Sequence, residues 1–265
     1  MLRHCLAKWP VVLFLRGLRP AGVPEAGYHR RWSRLPVALA RSGYVVVVPS
    51  HTASVQSDAA VAAAMADIAF VRTTWSQAEW VDQRPISTVL AGHSFGAVLA
   101  ARVAKANPAV AGALVSLGGG FLGVPEFLSG IACPRFFMFN SDLNNENPDN
   151  LWDRLEGDRW AAFYDGGHFD YLPASATGTE PRGGCTLIEG IAADLAALFV
   201  AANVQSLTQI PVSLVKPQVT LTPAQEALAI QHLLSVDQIA SRRGCRVELT
   251  WVVGGAAGAR SLGPG

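Results

Sequence analysis

Residues 89–104 read VLAGHSFGAVLAARVA, and the way Ser94 stands between Gly92 and Gly96 decides how the rest of the chain is read. Thr88 to Ala91 has the character of a short buried strand, and Phe95 to Ala106 follows a helical pattern. A G-x-S-x-G placed between a strand and a helix describes a sharp turn that lifts a serine hydroxyl above the end of a sheet. The two glycines supply the room that the backbone needs where it crowds. The helix that follows aims the N–H of Phe95 at any negative charge developing beside the serine.

Outward from this turn, short apolar runs alternate with longer helical patterns. Val11 to Leu15, Tyr44 to Val48, Thr88 to Ala91, Ala113 to Leu117, Arg135 to Phe139 and Trp160 to Tyr164 read as strands. Their near-continuous apolarity suits strands covered on both faces. Helices are expected at about Tyr28 to Arg41, Ser57 to Gln77, Phe95 to Ala106, Asn150 to Leu155 and Thr186 to Ala202. This order predicts an α/β fold with a mostly parallel central sheet flanked by helices, whose ligands gather at the carboxyl ends of the strands.

Past this region the chain continues for about 60 residues. The expected division is a main α/β domain over 1–203, which carries the Ser94 turn, and a C-terminal extension over 204–265. Thr222 as N-cap, Pro223 at the first position and Gln225 three after the cap start a helix that runs to about Ala240. Arg246 to Val253 reads as one more strand, and GGAAGARSLGPG as a frayed tail. The extension is an add-on over the sheet, an oligomerisation element or a poorly ordered segment; Ala227, Ile230 and Leu234 share a helical face, which favours packing.

Composition removes several function classes. Half of the residues are hydrophobic, 15% are charged and the net charge is +1, without a basic block longer than a pair such as Arg30-Arg31. Nothing here supplies the cationic surface that nucleic acid requires. No run reaches the ~18–20 apolar residues that span a bilayer. Val11 to Leu15 reads as a core strand and not as a leader, since cleavage after it would remove a strand and the loop beside the serine; the expected location is cytoplasmic. Cys5, Cys133, Cys185 and Cys245 lack metal-ligand spacing and default to buried thiols, a Cys133–Cys185 pair being open to an exported protein.

A serine hydroxyl needs a base and the base needs a carboxylate. His168, in the glycine-flanked loop after Tyr164, is the candidate base; His93 is assigned to packing or solvent exposure, and His51 to structure. Asp142, just beyond a predicted strand, is the candidate acid, with Asp149 and Glu126 as alternatives. The second oxyanion donor is placed in the loop after Val11 to Leu15, at the N–H of Leu18, with Arg16 and Gly17 as alternatives. Phe95, Phe121, Trp152, Phe169 and Tyr171 are the expected apolar rim for substrate.

With GHSFG, FNSD and GGHFDYLP in the order serine, acid, histidine, the chain resembles the α/β-hydrolase superfamily over about residues 9–202. WPVVLFLRGL and LARSGYVVVVPSH further resemble its lidless branch of dienelactone hydrolases, cutinase-like polyester hydrolases and chlorophyllase-like esterases. The 17 residues between Leu117 and Arg135 leave no room for a large lid. The resemblance implies ester hydrolysis through an acyl-serine, with Ser94, His168 and Asp142 as the triad, Phe95 and Leu18 as oxyanion donors, and no metal or organic cofactor. The expected substrates are small or polymeric esters with apolar short to medium acyl or aromatic groups. Thioesterase, amidase and cofactor-free perhydrolase chemistry share the same triad, and a non-catalytic binding protein is the reading from another class. Arg16-Gly17 stands where the family commonly has histidine-glycine.

Overall fold

A computed structural model describes residues 8–18, 34–41, 43–50, 57–119, 125–140, 155–164, 166–168, 170–171, 192, 195–196, 199–200, 247–253 and 256–262. Strands β1 (Val11–Leu15), β2 (Val45–Val47), β3 (Thr88–His93), β4 (Ala113–Leu117), β5 (Arg135–Asn140) and β6 (Arg159–Tyr164) pair in parallel. β7 (Val247–Val253) and β8 (Ala256–Leu262) extend the sheet in antiparallel fashion, giving the order β2-β1-β3-β4-β5-β6-β7-β8.

Strands β1 to β6 alternate their side chains between two apolar layers, as a pleated backbone requires. Val12, Phe14, Val89, Ala91, Phe136, Met138, Trp160 and Ala162 enter one layer. Leu13, Leu15, Leu90, Leu114, Phe137, Phe139 and Ala161 enter the other. Helix α1 (Arg34–Arg41) sends Leu35 and Leu39 into the first layer, where the helical residues Ala192, Leu195, Ala196, Phe199 and Val200 also lie. Helices α2 (Asp58–Thr73) and α3 (Phe95–Ala106) cover the second. Burial on both faces is the reason the strands read as apolar runs and not as an alternating pattern.

The path of the chain creates the site. From β1 it crosses to β2 on one side, then returns past β1 to β3, so the strand order reverses between β1 and β3. Helices α1 and α2 lie on opposite faces, which opens a crevice at the carboxyl ends of these two strands. Residues 16–18 leave β1 against the start of α3, where a Cβ on Gly96 would lie 2.6 Å from the Arg16 carbonyl oxygen.

Several expectations are adjusted by the structure. The stretch expected to fray contains β8, every residue of which from Ala256 to Leu262 pairs with β7. Edge pairing decides this, because AAGARSL has little strand propensity of its own. Ser57, the first residue of the expected helix, caps α2, its hydroxyl oxygen accepting the Ala60 N–H at 3.2 Å, and the helix ends at Thr73, short of Gln77. Leu155 is buried outside any helix, while 150–154, 223–240 and the first six positions of the expected 28–41 helix lie outside the described residues. Between β4 and β5 the described residues hold a 3-10 turn, Pro125–Leu128. Cys133 is a free thiol whose pKa is raised to about 11 by burial, against the pull of Arg135; Cys185 lies outside the described residues. Among the described residues no helix is long and apolar enough to cross a membrane.

Candidate active site

The turn from β3 into α3 is closed so tightly that the spacing of GHSFG becomes a steric requirement. A Cβ on Gly92 would lie 2.4 Å from the carbonyl carbon and oxygen of Gly96. A Cβ on Gly96 would lie 2.0 Å from the Leu15 carbonyl oxygen at the end of β1. The two glycines therefore let α3 start directly against β3 and across β1. Between them Ser94 takes φ 56° and ψ −127°, the one positive φ outside glycine among the described residues. A side chain in that region carries strain of about 1–3 kcal/mol, which the surrounding packing has to sustain. The Ser94 N–H donates to the Leu117 carbonyl at 2.9 Å and its own carbonyl accepts from Ala97 at 3.0 Å, so the backbone is held from both sides.

The Ser94 side chain meets His168 across 74 positions of sequence, with Oγ and Nε2 2.8 Å apart. The serine is 9% exposed. His168 belongs to a loop leaving β6 that is fastened at several points. The Gly167 N–H donates to the Asp170 carboxylate at 2.7 Å, and the Asp170 N–H returns to the Gly167 carbonyl at 3.1 Å. The Tyr164 hydroxyl donates to the same carbonyl at 3.0 Å. Gly166 cannot carry a side chain, since its Cβ would come within 2.5 Å of the Tyr164 ring and 2.7 Å of the Asp170 carboxylate.

Behind the pair sits His93, fully buried. Its Nε2 lies 2.8 Å from the His168 carbonyl oxygen, and its ring is 4.8 Å from the His168 ring and 5.2 Å, edge-on, from Tyr171. Burial, and then the neighbouring His168, hold the His93 pKa well below the usual imidazole range, which the bond to the carbonyl only partly opposes. His93 is neutral at ordinary pH.

The other predicted residues fall as follows. Phe95, half-buried, opens α3, where first-turn N–H groups have no carbonyl one turn back within the helix to accept them. Gly17 lies against the serine: a Cβ there would be 2.8 Å from Ser94 Cβ and 2.9 Å from His93 Nδ1. Leu18, next to it, is 57% exposed. Tyr171, expected on the rim, is 2% exposed and packs under the histidine loop, its ring edge-on to Tyr164 and its hydroxyl donating to the Met138 carbonyl at 2.9 Å. A phenol with a strong acceptor inside the sheet layer gains more from that bond than from facing solvent. Asp142, Phe121, Trp152 and Phe169, with the alternative acid Asp149 and with His51, lie outside the described residues. Glu126 is exposed in the 3-10 turn, where Lys105 Nζ donates to its backbone carbonyl.

Sequence reasoning left His93 between packing and solvent exposure, missed Asp170, and named Gly17 only as an alternative oxyanion donor. Strand alternation contained the signal for the first, because Val89, Ala91 and His93 share one face and two of them are core. Asp170 carried no comparable signal.

A model of the alpha/beta hydrolase family matches residues 12–251. No curated protein matches the chain.

Proposed function

The chain belongs to the alpha/beta hydrolase family, and we propose that it is a serine carboxylesterase working through an acyl-serine. The observation that carries this reading is the 2.8 Å approach of His168 Nε2 to the hydroxyl of a serine held in a strained turn. In the reaction Ser94 Oγ attacks the ester carbonyl carbon while its proton passes to His168 Nε2. The C–O π bond opens to an oxyanion, which the N–H groups of Phe95 and Leu18 receive. As the carbonyl reforms, the ester C–O bond breaks and the alcohol leaves with the proton from His168. A water molecule, deprotonated by His168, then attacks the acyl carbon; as that tetrahedral species collapses, the bond to Ser94 Oγ breaks, Oγ takes the proton back from His168 and the acid is released. Asp142 keeps the imidazole oriented and offsets its positive charge during both steps.

The exposed side chain of Leu18 beside Gly17, together with Phe95, favours an apolar acyl or alcohol group. Phe121, Trp152 and Phe169 complete the proposed rim.

Intact mass after treatment with a fluorophosphonate tests the reading. Native protein should gain one adduct and Ser94→Ala none; absence of an adduct on folded native protein would reject it. A series of nitrophenyl esters, and one acyl group presented as ester, thioester and amide, then tests ester preference and chain length.

A further inference from the structure

The residue before the serine does more than fill space. His93 leaves β3 on the face shared with Val89 and Ala91, and its ring is fully buried beneath the loop that carries His168. A carbonyl oxygen only accepts, so the 2.8 Å contact between His93 Nε2 and the His168 carbonyl requires a proton on Nε2. We propose that His93 is a positioning residue: its Nε2–H clamps the main chain of His168 and so sets the distance from the imidazole to Ser94. This inference rests on the serine-hydrolase reading above.

The geometry makes the clamp direct. His93 and Ser94 are consecutive on one stiff turn, and the base is 74 residues further along. The hydroxyl and the clamp therefore grip the same residue from a common platform, Ser94 through the imidazole Nε2 and His93 through the carbonyl oxygen. Any drift of the loop after β6 has to break one of these contacts. The 4.8 Å separation of the rings restricts the His168 imidazole from behind as well.

The platform is itself confined. Tyr171 stands edge-on to the His93 ring at 5.2 Å, with its hydroxyl tied to Met138 on β5. Gly17 occupies the side toward Nδ1, where any side chain would collide with the ring. His93 therefore touches both the loop after β1, where an oxyanion donor is proposed, and the loop that presents the base.

A histidine suits this place better than a permanent cation. During attack His168 becomes positively charged, and a charged neighbour at this range would oppose that step. Because burial and His168 itself keep His93 neutral, it contributes a donor without an opposing charge.

The test combines two variants with one measurement on native protein. Phenylalanine retains a ring but has no donor, whereas glutamine brings an amide N–H to about the reach of Nε2. His93→Phe should be phosphonylated at Ser94 at least tenfold more slowly and show a similar fall in kcat, with KM for a small ester within twofold. His93→Gln should regain most of the rate. Labelling of folded His93→Phe at the native rate would overturn the clamp, as would a folded His93→Gln as slow as His93→Phe. Should the variants fail to fold, two-dimensional 1H–15N spectra of the native imidazoles decide: the Nε2–H tautomer at His93 is expected, and an Nδ1–H tautomer would remove the donor and the proposal with it. Failure of native protein to label at all would instead strike the serine-hydrolase reading.

Discussion

The two ends of β3 treat polar groups in opposite ways. At the amino end they are absorbed by one another. The Asp82 carboxylate accepts from the Arg84 backbone at 2.9 Å, from its Nε at 3.0 Å and from the Ser87 hydroxyl at 2.9 Å. Arg72 Nη2 donates to Thr88 Oγ1 at 2.6 Å and to the Arg84 carbonyl at 2.7 Å. Burial works against ionisation of Asp82, but the bonds from Arg84 and Ser87 outweigh it and bring its pKa down to about 2. At the carboxyl end the backbone is strained and the serine hydroxyl is directed at a base brought from another strand. One end anchors the strand through paired polar groups, and the other holds a reactive geometry that such anchoring has to support.

The contrast yields substitutions that should separate activity from stability. Ser94→Ala and His168→Ala should each lower kcat on the order of 10⁶-fold, the scale of serine triads, while the thermal midpoint stays within a few degrees. A large fall in midpoint would show that the carboxyl end also anchors the fold. Asp142→Asn should lower kcat by about 10⁴-fold through the wrong imidazole tautomer; near-native turnover would move the acid elsewhere.

Gly96→Ala puts a methyl group 2.0 Å from the Leu15 carbonyl oxygen. It should cost about 4 kcal/mol or more, read as loss of cooperative urea unfolding or of folded protein on expression. A stable, active Gly96→Ala would mean that the elbow relaxes far more easily than its packing implies.

Asp82→Asn should have the smallest effect, about 1–3 kcal/mol of stability, with ester turnover unchanged. Its pH dependence has a definite sign. A carboxylate held at about 2 in the native state and near ~3.9 when unfolded stabilises the protein above the unfolded value, and that contribution is lost as pH falls toward 2. Urea midpoints measured from pH 5 to pH 2 should therefore converge between native and Asp82→Asn as the pH drops. Parallel curves would break the assignment of this end as an electrostatic anchor.

Much of the central architecture was legible because burial on both faces leaves a plain mark: VVLFL, ALVSL and RFFMFN are strands at or within a residue of their expected bounds. The GHSFG turn was equally legible, since its glycines answer a steric need that any strand-to-helix crossing of this kind has. β8 was not, because its pairing with β7 comes from a neighbouring backbone and not from AAGARSL. Tyr171 was misplaced for a related reason. Its position three residues after His168 suggested the rim, but its hydroxyl has an acceptor at Met138, on a strand more than 30 residues earlier.

By itself the sequence determined the α/β order and the turn at Ser94 and pointed to His168 among six histidines, because periodicity, glycine spacing and loop position are local properties. Only the tertiary structure decided which atoms meet. The register of β3 between β1 and β4, the return of the β6 loop over His93, and the fit of Gly17 against Ser94 depend on side chains and backbones distant in sequence. Packing at such close range is settled by the whole set of neighbours at once, and no single stretch of chain encodes it.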